Sequence, residues 1–232
     1  MIHKNFRFVI ILIFLFAVNS LYSQFIHNFG IKFGLHYSGF ITSDASKLFP
    51  NGDPTAMNYI GTDFGVYTEL FNSTRFCVST ELHYETLGEK ETNSFRIIYP
   101  VQSTQGEFYK YTYLSRSFTY ISFQILPRFR FAVTHDDKVY FLAGPRFDLR
   151  IANNNPEYQD AIMLKNMQLE TGVTVGIGGE VLDLISFEFR YNYNFSNTFR
   201  FIYGGDTITR SFQAYSFIAG VSLKKILKIG SF

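Results

Sequence analysis

The chain has 232 residues, of which 47% are hydrophobic and 17% are charged, and its formal net charge is +2. So small a charge argues against a nucleic-acid partner, and a mean hydropathy of +0.02 excludes a bundle of membrane helices. The single cysteine, Cys77, excludes an intrachain disulfide and any metal site built from several cysteines.

Residues 1–23 have the pattern of a secretory signal peptide. A basic start is followed by the apolar run 8–18, and the small residue Ser23 precedes the predicted cleavage point. The alternative, a membrane anchor helix, needs about 20 apolar residues, and this run ends at Asn19. We therefore expect cleavage and export to the periplasm, the outer membrane or the exterior.

The rest of the chain, 24–232, contains long segments in which apolar and polar residues alternate with a period of two. This period predicts β-strands, because successive side chains leave opposite faces of a sheet. The clearest pair places Phe187 and Phe189 on one face and Glu188 and Arg190 on the other. The eight predicted strands are 28–37, 60–70, 76–85, 119–131, 139–151, 167–181, 185–196 and 212–223.

The connections between the predicted strands alternate between short and long. Short turns fall near Asn72, Asp136 and Asp183, whereas the long connections follow Phe40, Leu87, Ala152 and Asn197. Outer-membrane barrels pair short periplasmic turns with long external loops. This rhythm predicts that both termini lie on the periplasmic side.

The composition of the two faces indicates which side of the strands meets lipid. One face is rich in Phe and Tyr, and the other carries Glu, Arg, Asn and Gly. A closed barrel in lipid needs an apolar outer surface and a polar interior, with every backbone group paired. We predict an all-β fold, an eight-stranded antiparallel transmembrane barrel with up-and-down topology, in the outer membrane of a Gram-negative-type cell. The alternative is a soluble lipocalin-type barrel, in which the apolar face points inward.

Two prolines disturb the pattern. Pro127 and Pro145 occupy outward positions of strands 119–131 and 139–151, which are both internal strands of the predicted barrel. Proline has no N–H to donate to a ladder. We expect a bulge or kink where the two prolines lie almost opposite each other.

The inward positions carry the only groups from which chemistry could arise. In an eight-stranded barrel the side chains just fill the interior, so paired arginines and carboxylates predict a structural plug. The alternative is a narrow polar conduit for small solutes. The predicted lumen charge network consists of Lys32, Asp63, Glu69, Glu81, His83, Glu85, Arg128, Arg130, Arg146, Asp148, Arg150, Glu170, Glu180, Glu188 and Arg190.

Neither a catalytic nor a metal site is predicted. Ser79, Glu81, His83 and Glu85 share an inward face, but side chains two residues apart are spaced about 6–7 Å along a strand. We take this spacing as too long for a direct hydrogen bond. His36 and His83 are metal ligands by type, yet nothing in their spacing defines a site. No phosphate loop or nucleotide fingerprint is present, so no cofactor is predicted.

The external connections are the predicted working parts, because function concentrates on loops held by a rigid scaffold. The longest connection, 87–117, is rich in aromatic residues. We predict that the barrel is surrounded by outer-membrane lipid and that this loop contacts a protein or a surface glycan; the alternative is a plain solvated loop. The candidate partner residues are Phe95, Ile97, Ile98, Tyr99, Tyr109, Tyr111 and Tyr113.

Four short motifs carry a family resemblance: 29–35 (FGIKFGL), 125–130 (ILPRFR), 141–146 (FLAGPR) and 187–192 (FEFRYN). With them, nearly the whole mature chain resembles the small outer-membrane β-barrel family that includes the porin-like and PorT-like proteins. We expect a non-enzymatic barrel of the cell envelope that serves as a scaffold, in envelope integrity or in docking a partner. PorT itself is implicated in a secretion system for surface proteins, so the resemblance also implies, as an alternative, an accessory role in protein secretion.

Overall fold

The computed structural model describes residues 26–42, 57–71, 73, 75–90, 101–103, 106–108, 115–134, 136–153, 168–203 and 206–229. Long strands make up most of these residues. Their bounds are β1 Ile26–Thr42, β2 Met57–Leu70, β3 Phe76–Lys90, β4 Val101–Ser103, β5 Gly106–Phe108, β6 Ser115–Ala132, β7 Lys138–Asn153, β8 Gln168–Val181, β9 Ile185–Tyr203 and β10 Asp206–Ser222. A short helix, α1, spans Leu223–Ile229.

The eight long strands form a closed antiparallel barrel in the order β1-β10-β9-β8-β7-β6-β3-β2. Each long strand pairs with the long strands before and after it in the chain. The last strand closes the barrel on the first, with pairs from Gly30–Ser222 to Thr42–Arg210. The predicted eight-stranded up-and-down barrel is therefore confirmed. Strands β4 and β5 form a separate small hairpin within the connection between β3 and β6.

The side chains alternate between the lumen and the outer surface as predicted. On β9, for example, Phe187 and Phe189 are exposed, whereas Glu188 and Arg190 are buried. The lipocalin-type alternative is wrong, because the apolar series points outward. Its exposed members include Phe33, Leu35, Phe64, Val66, Leu82, Phe123, Phe129, Phe141, Val175, Phe189 and Phe217.

The strands are longer than the sequence pattern predicts. The predicted loop 197–211 is wrong, because β9 and β10 continue to pair up to Asp206–Tyr203. Alternation weakens in this stretch, so the pattern ends before the backbone pairing does. The helix α1 at the end of the barrel was also not predicted. Among the described residues, no helix is long and apolar enough to cross a membrane.

The ladder between β6 and β7 is interrupted at Pro127 and Pro145. The pairing stops after Gln124 and resumes at Arg128 in the same register. The expected disruption is confirmed, but a bulge is wrong, because neither strand gains a residue. The common register places the two prolines two positions apart rather than directly opposite. Each proline keeps its pairing with the strand on its other side.

Two local features hold the strands close together. At Gly61 a Cβ atom would lie 1.7 Å from the carbonyl oxygen of Thr86, so only glycine fits where β2 and β3 approach so closely. The turn between β8 and β9 places Leu182 and Asp183 at φ 55° and 51°. The Leu184 amide closes this turn by donating to the Val181 carbonyl at 3.0 Å. Two consecutive residues with positive φ form a turn whose twist matches the right-handed twist of the flanking strands.

Candidate functional site

The structure places every residue of the predicted lumen charge network inside the barrel. Each of the fifteen is 9% exposed or less. They come from seven of the eight barrel strands, all except β10, so the network links most of the wall. The interior is built from cross-lumen ion pairs, which the sequence pattern alone does not assign.

The centre of the lumen holds Glu81 and Glu188. Their strands, β3 and β9, stand on opposite sides of the eight-strand ring. Lys32 Nζ bridges the two carboxylates, at 2.9 Å from Glu81 Oε1 and 2.8 Å from Glu188 Oε1. Arg190 bridges them again, since its Nη2 lies 2.8 Å from Glu81 Oε2 and also contacts Glu188. Opposite walls are thereby joined through charged hydrogen bonds.

Arg128 extends this central cluster. Its Nη2 lies 2.9 Å from Glu81 Oε1 and from Glu188 Oε1, and its Nη1 lies 2.7 Å from Glu69 Oε1. The guanidinium also lies 4.9 Å from the ring centroid of Tyr140, which is a cation–π distance. The Tyr140 hydroxyl donates to Glu188 Oε1 at 2.6 Å. Tyrosine therefore completes a cluster that sequence analysis described in charges alone.

Arg130 and Glu180 complete the network at the end that carries the short turns. Arg130 Nη2 lies 2.8 Å from Glu69 Oε1 and 3.1 Å from Glu180 Oε1. Because Glu69 also contacts Arg128, the cluster at this end is continuous with the central one.

A second cluster lies toward the long connections. Arg146 Nε donates to Asp148 Oδ2 at 2.6 Å, and Arg146 Nη2 contacts Glu85. Asn194 Nδ2 donates to Asp148 Oδ2 at 3.0 Å and to Glu170 Oε2 at 3.2 Å. Strands β3, β7, β8 and β9 are held together by these bonds.

An apolar layer lies between this second cluster and the long connections. The guanidinium of Arg150 lies 5.5 Å from the ring centroid of Phe118, and the Tyr120 hydroxyl donates to Glu170 Oε1 at 3.3 Å. The layer is therefore attached to the charges beneath it. Its members are Leu87, Phe118, Tyr120, Phe212 and Ala214, all buried.

The inward-facing Ser79, Glu81 and His83 of β3 are hydrogen-bonded in an arrangement that is not a catalytic triad. The Ser79 hydroxyl donates to Glu81 Oε1 at 2.7 Å, and His83 Nε2 lies 2.9 Å from Glu81 Oε2. The expectation that side chains two apart cannot bond is wrong, because a long glutamate side chain spans the backbone spacing. His83 Nδ1 lies 2.7 Å from Asp63 Oδ1. The serine contacts the acid rather than the histidine, and all four residues are buried.

Sequence analysis missed the neutral polar residues between the charges. Gln124 Oε1 accepts from Arg190 Nη1 at 3.1 Å, and Asn192 Nδ2 donates to Ser216 Oγ at 2.8 Å. The Thr174 hydroxyl donates to Asn192 Oδ1 at 2.8 Å. The alternation of the strands already placed these residues on the inward face, but neutral side chains do not stand out by charge.

The candidate partner residues of the longest connection, Phe95 to Tyr99 and Tyr109 to Tyr113, lie outside the described residues, as does the predicted signal peptide. Within that connection the structure describes the end of β3, the hairpin of β4 and β5, and the start of β6.

A closed antiparallel barrel with an apolar outer surface and a polar, filled interior defines a transmembrane β-barrel of the outer-membrane class. Residues 23–200 match the family described as "Outer membrane protein beta-barrel domain". The match covers most of the chain, so the protein belongs to this family and is an outer-membrane protein. The resemblance to small outer-membrane barrels is confirmed.

Several solved structures are similar to the chain. Ail, the attachment invasion locus protein of Yersinia pestis, is 14% identical, with a TM-score of 0.41, over 84% of this chain and 98% of Ail. Neisserial surface protein A is 10% identical, with a TM-score of 0.44, over 85% of this chain and 99% of that chain. A de novo designed transmembrane β-barrel is 10% identical, with a TM-score of 0.34, over 84% of this chain and 95% of the design. No curated protein matches the sequence.

Proposed function

We propose that this protein is a non-enzymatic scaffold of the outer membrane, whose filled barrel presents its long connections to a protein or surface-glycan partner. The observation that carries the proposal is the packing of the lumen. Arg128, Arg146 and Arg190 are among the largest fully buried side chains. Because paired charges and the apolar layer occupy the interior, the ends of the barrel are left as its working surfaces.

The competing function is a narrow channel for small solutes. Reconstitution into planar bilayers distinguishes the two, because a filled lumen predicts no resolvable single-channel current. The Arg190→Ala variant removes the side chain that bridges Glu81 and Glu188 and serves as a comparison for an opened interior. Steady, ion-selective current from the unaltered protein would favour the channel.

The orientation proposed here has both termini and the short turns in the periplasm. Single cysteines at Asp136 and at Tyr99, treated with a membrane-impermeant maleimide on intact cells, test this orientation. We expect labelling at position 99 only, with labelling at 136 after the outer membrane is opened. The unaltered protein is the control, because its Cys77 is buried. Labelling at position 136 on intact cells would reverse the orientation.

The aromatic residues of the longest connection are the proposed partner-binding surface. A photo-crosslinking phenylalanine analogue at Tyr99 is expected to capture a protein or glycan in intact cells. The matched control is the analogue at Tyr84, whose side chain is 54% exposed on the outer wall of the barrel. Deletion of residues 93–105, which also removes position 99, should produce an envelope phenotype. If the analogue captures nothing and the deletion has no phenotype, the connection is a solvated loop without a partner.

The resemblance to PorT-like proteins supports a more specific role for the same surface, as an accessory part of a protein-secretion machine. Co-purification from detergent-solubilised membranes tests it. Recovery of inner-membrane or periplasmic secretion components would favour this role, whereas recovery of the barrel alone would leave the scaffold function as proposed.

A further inference from the structure

Three buried polar atoms converge in the lumen without a hydrogen-bond partner: His36 Nε2, Asp63 Oδ2 and Glu85 Oε2. The imidazole Nε2 lies 3.4 Å from Asp63 Oδ2 and 3.2 Å from Glu85 Oε2. The three side chains are 1% exposed or less, and their three ligand atoms lie within 4.8 Å of one another. Buried polar atoms normally have partners, so three unpartnered atoms pointing to one place indicate a ligand.

Strand register brings these residues together. Asp63 on β2 is directly opposite Glu85 on β3. His36 on β1 is paired with Gly61, two positions along β2 from Asp63. Like charges placed directly opposite destabilise a sheet, and this pair is buried. A cation between the two carboxylates removes that repulsion.

The second lumen histidine provides an internal comparison. His83 also lies between two carboxylates, and its nitrogens make contacts of 2.7 Å to Asp63 and 2.9 Å to Glu81. These are the lengths of charged hydrogen bonds from a protonated imidazole. His36 Nε2 has no such short contact and stands at nearly equal distances from two oxygens. A proton on Nε2 explains this arrangement less well than an ion shared by all three atoms.

The spacing fits a metal ion. Zinc bonds nitrogen at about 2.0–2.1 Å and oxygen at about 2.0–2.2 Å, so two ligands at a tetrahedral angle lie about 3.3–3.5 Å apart. The two N–O separations of 3.2 and 3.4 Å match this distance between two zinc ligands. We propose that His36, Asp63 and Glu85 bind one divalent transition-metal ion in the lumen, with zinc as the best fit. Three protein ligands leave a fourth position for water or a small solute.

The outer contacts of the three ligands also fit a metal site. The second polar atom of each ligand is held by a neighbour. Ser216 Oγ lies 2.6 Å from the imidazole Nδ1, His83 Nδ1 lies 2.7 Å from the aspartate Oδ1, and Arg146 contacts the glutamate Oε1. In metal proteins such contacts fix the tautomer and orient the ligands. In the metal-binding tautomer, Nδ1–H donates to the serine oxygen and Nε2 presents its lone pair.

The charge of the interior leaves an excess of one carboxylate. Among the described residues, the lumen holds eight buried carboxylates against six buried Lys and Arg side chains and the protonated His83. Isolated buried charge is costly, so this excess is balanced either by a metal ion or by a protonated His36, which the test below separates. The apolar layer separates the three ligands from the long connections, which implies that the ion enters while the barrel folds.

Untagged protein, refolded from denaturant with and without one equivalent of Zn²⁺, provides the test. After exhaustive dialysis, elemental analysis should find one zinc per chain, and the thermal midpoint should rise relative to protein refolded with a chelator. Refolding with Co²⁺ should produce the visible absorption of a tetrahedral cobalt centre. The cobalt spectrum needs no variant, so a variant that fails to fold leaves the test intact.

The variants His36→Asn and Glu85→Gln should each lose the metal and the cobalt spectrum. His27→Asn is the matched control, because this histidine lies on the same strand but is exposed. It should retain one metal per chain. If the unaltered protein holds no zinc and gives no cobalt spectrum, or if His36→Asn binds as well as the unaltered protein, the proposal is overturned. His36 would then balance the carboxylates as an imidazolium.

Discussion

Arg190 and Glu81 are 109 residues apart in the chain, yet Arg190 Nη2 lies 2.8 Å from Glu81 Oε2. The arginine projects from β9 and the glutamate from β3, on opposite sides of the ring. The contact therefore spans the lumen. It shows how the centre of the barrel is packed by pairs of long charged side chains.

Removing this bridge should destabilise the barrel strongly. Arg190→Met leaves Glu81 and Glu188 without one of their cations, and breaking a buried ion pair costs about 3–5 kcal/mol. Urea unfolding followed by far-ultraviolet circular dichroism measures the loss, since the chain has no tryptophan. The control is Arg75→Met in an exposed turn, where we expect a change within about 0.5 kcal/mol. Equal stability of the two variants would contradict an integrated network.

Gly61 should not tolerate a side chain. A Cβ at this position would lie 1.7 Å from the Thr86 carbonyl oxygen, whereas at Gly179 the nearest atom would be 3.7 Å away. We expect Gly61→Ala to cost about 1–3 kcal/mol or more, because overpacking moves the backbone. Gly179→Ala should fold normally. The heat-dependent gel shift of folded barrels reports both results, and a normal Gly61→Ala barrel would refute the close approach.

The turn between β8 and β9 contains strain that substitution can relieve. Leu182 has φ 55° and its side chain is 64% exposed, and the left-handed conformation costs a residue with a Cβ about 1–2 kcal/mol. Leu182→Asn should therefore raise the free energy of unfolding, since asparagine tolerates this region. Leu184→Asn, at a position without positive φ, is the control and should give no gain.

Asp183 should make stability sensitive to acid at the same turn. Burial raises the pKa of this carboxyl, but hydrogen bonds and charge from Lys138 and Lys225 outweigh burial and hold the pKa below its ordinary value. A lowered pKa in the folded state adds stability above the unfolded pKa of about 3.9, and that contribution is lost as the pH falls through the folded value.

Asp183→Asn is therefore expected to lower the urea midpoint at pH 7. The difference from the unaltered protein should shrink as the pH falls below about 4. Asp136→Asn, in a neighbouring exposed turn, serves as the control. A difference that persists unchanged in acid would assign the effect to something other than the carboxylate charge.

The amino-acid sequence by itself determined the strands, the two faces and the barrel. Alternation such as Phe187-Glu188-Phe189-Arg190 depends only on the period of the backbone, so it is visible without knowing the neighbours. It also determined which charges enter the lumen. Beyond residue 196 the alternation fades. The sequence pattern therefore ended the strand there, although the backbone pairing continues.

Only the tertiary structure decided which charges meet. Closure of the ring and the register of each ladder place Arg190 against Glu81, and His36 against Asp63 and Glu85. These partners come from different strands, and a change of register by a single residue would turn each side chain to the other face. Partner choice is therefore a property of the closed barrel, whereas the direction of each side chain is a property of its own strand.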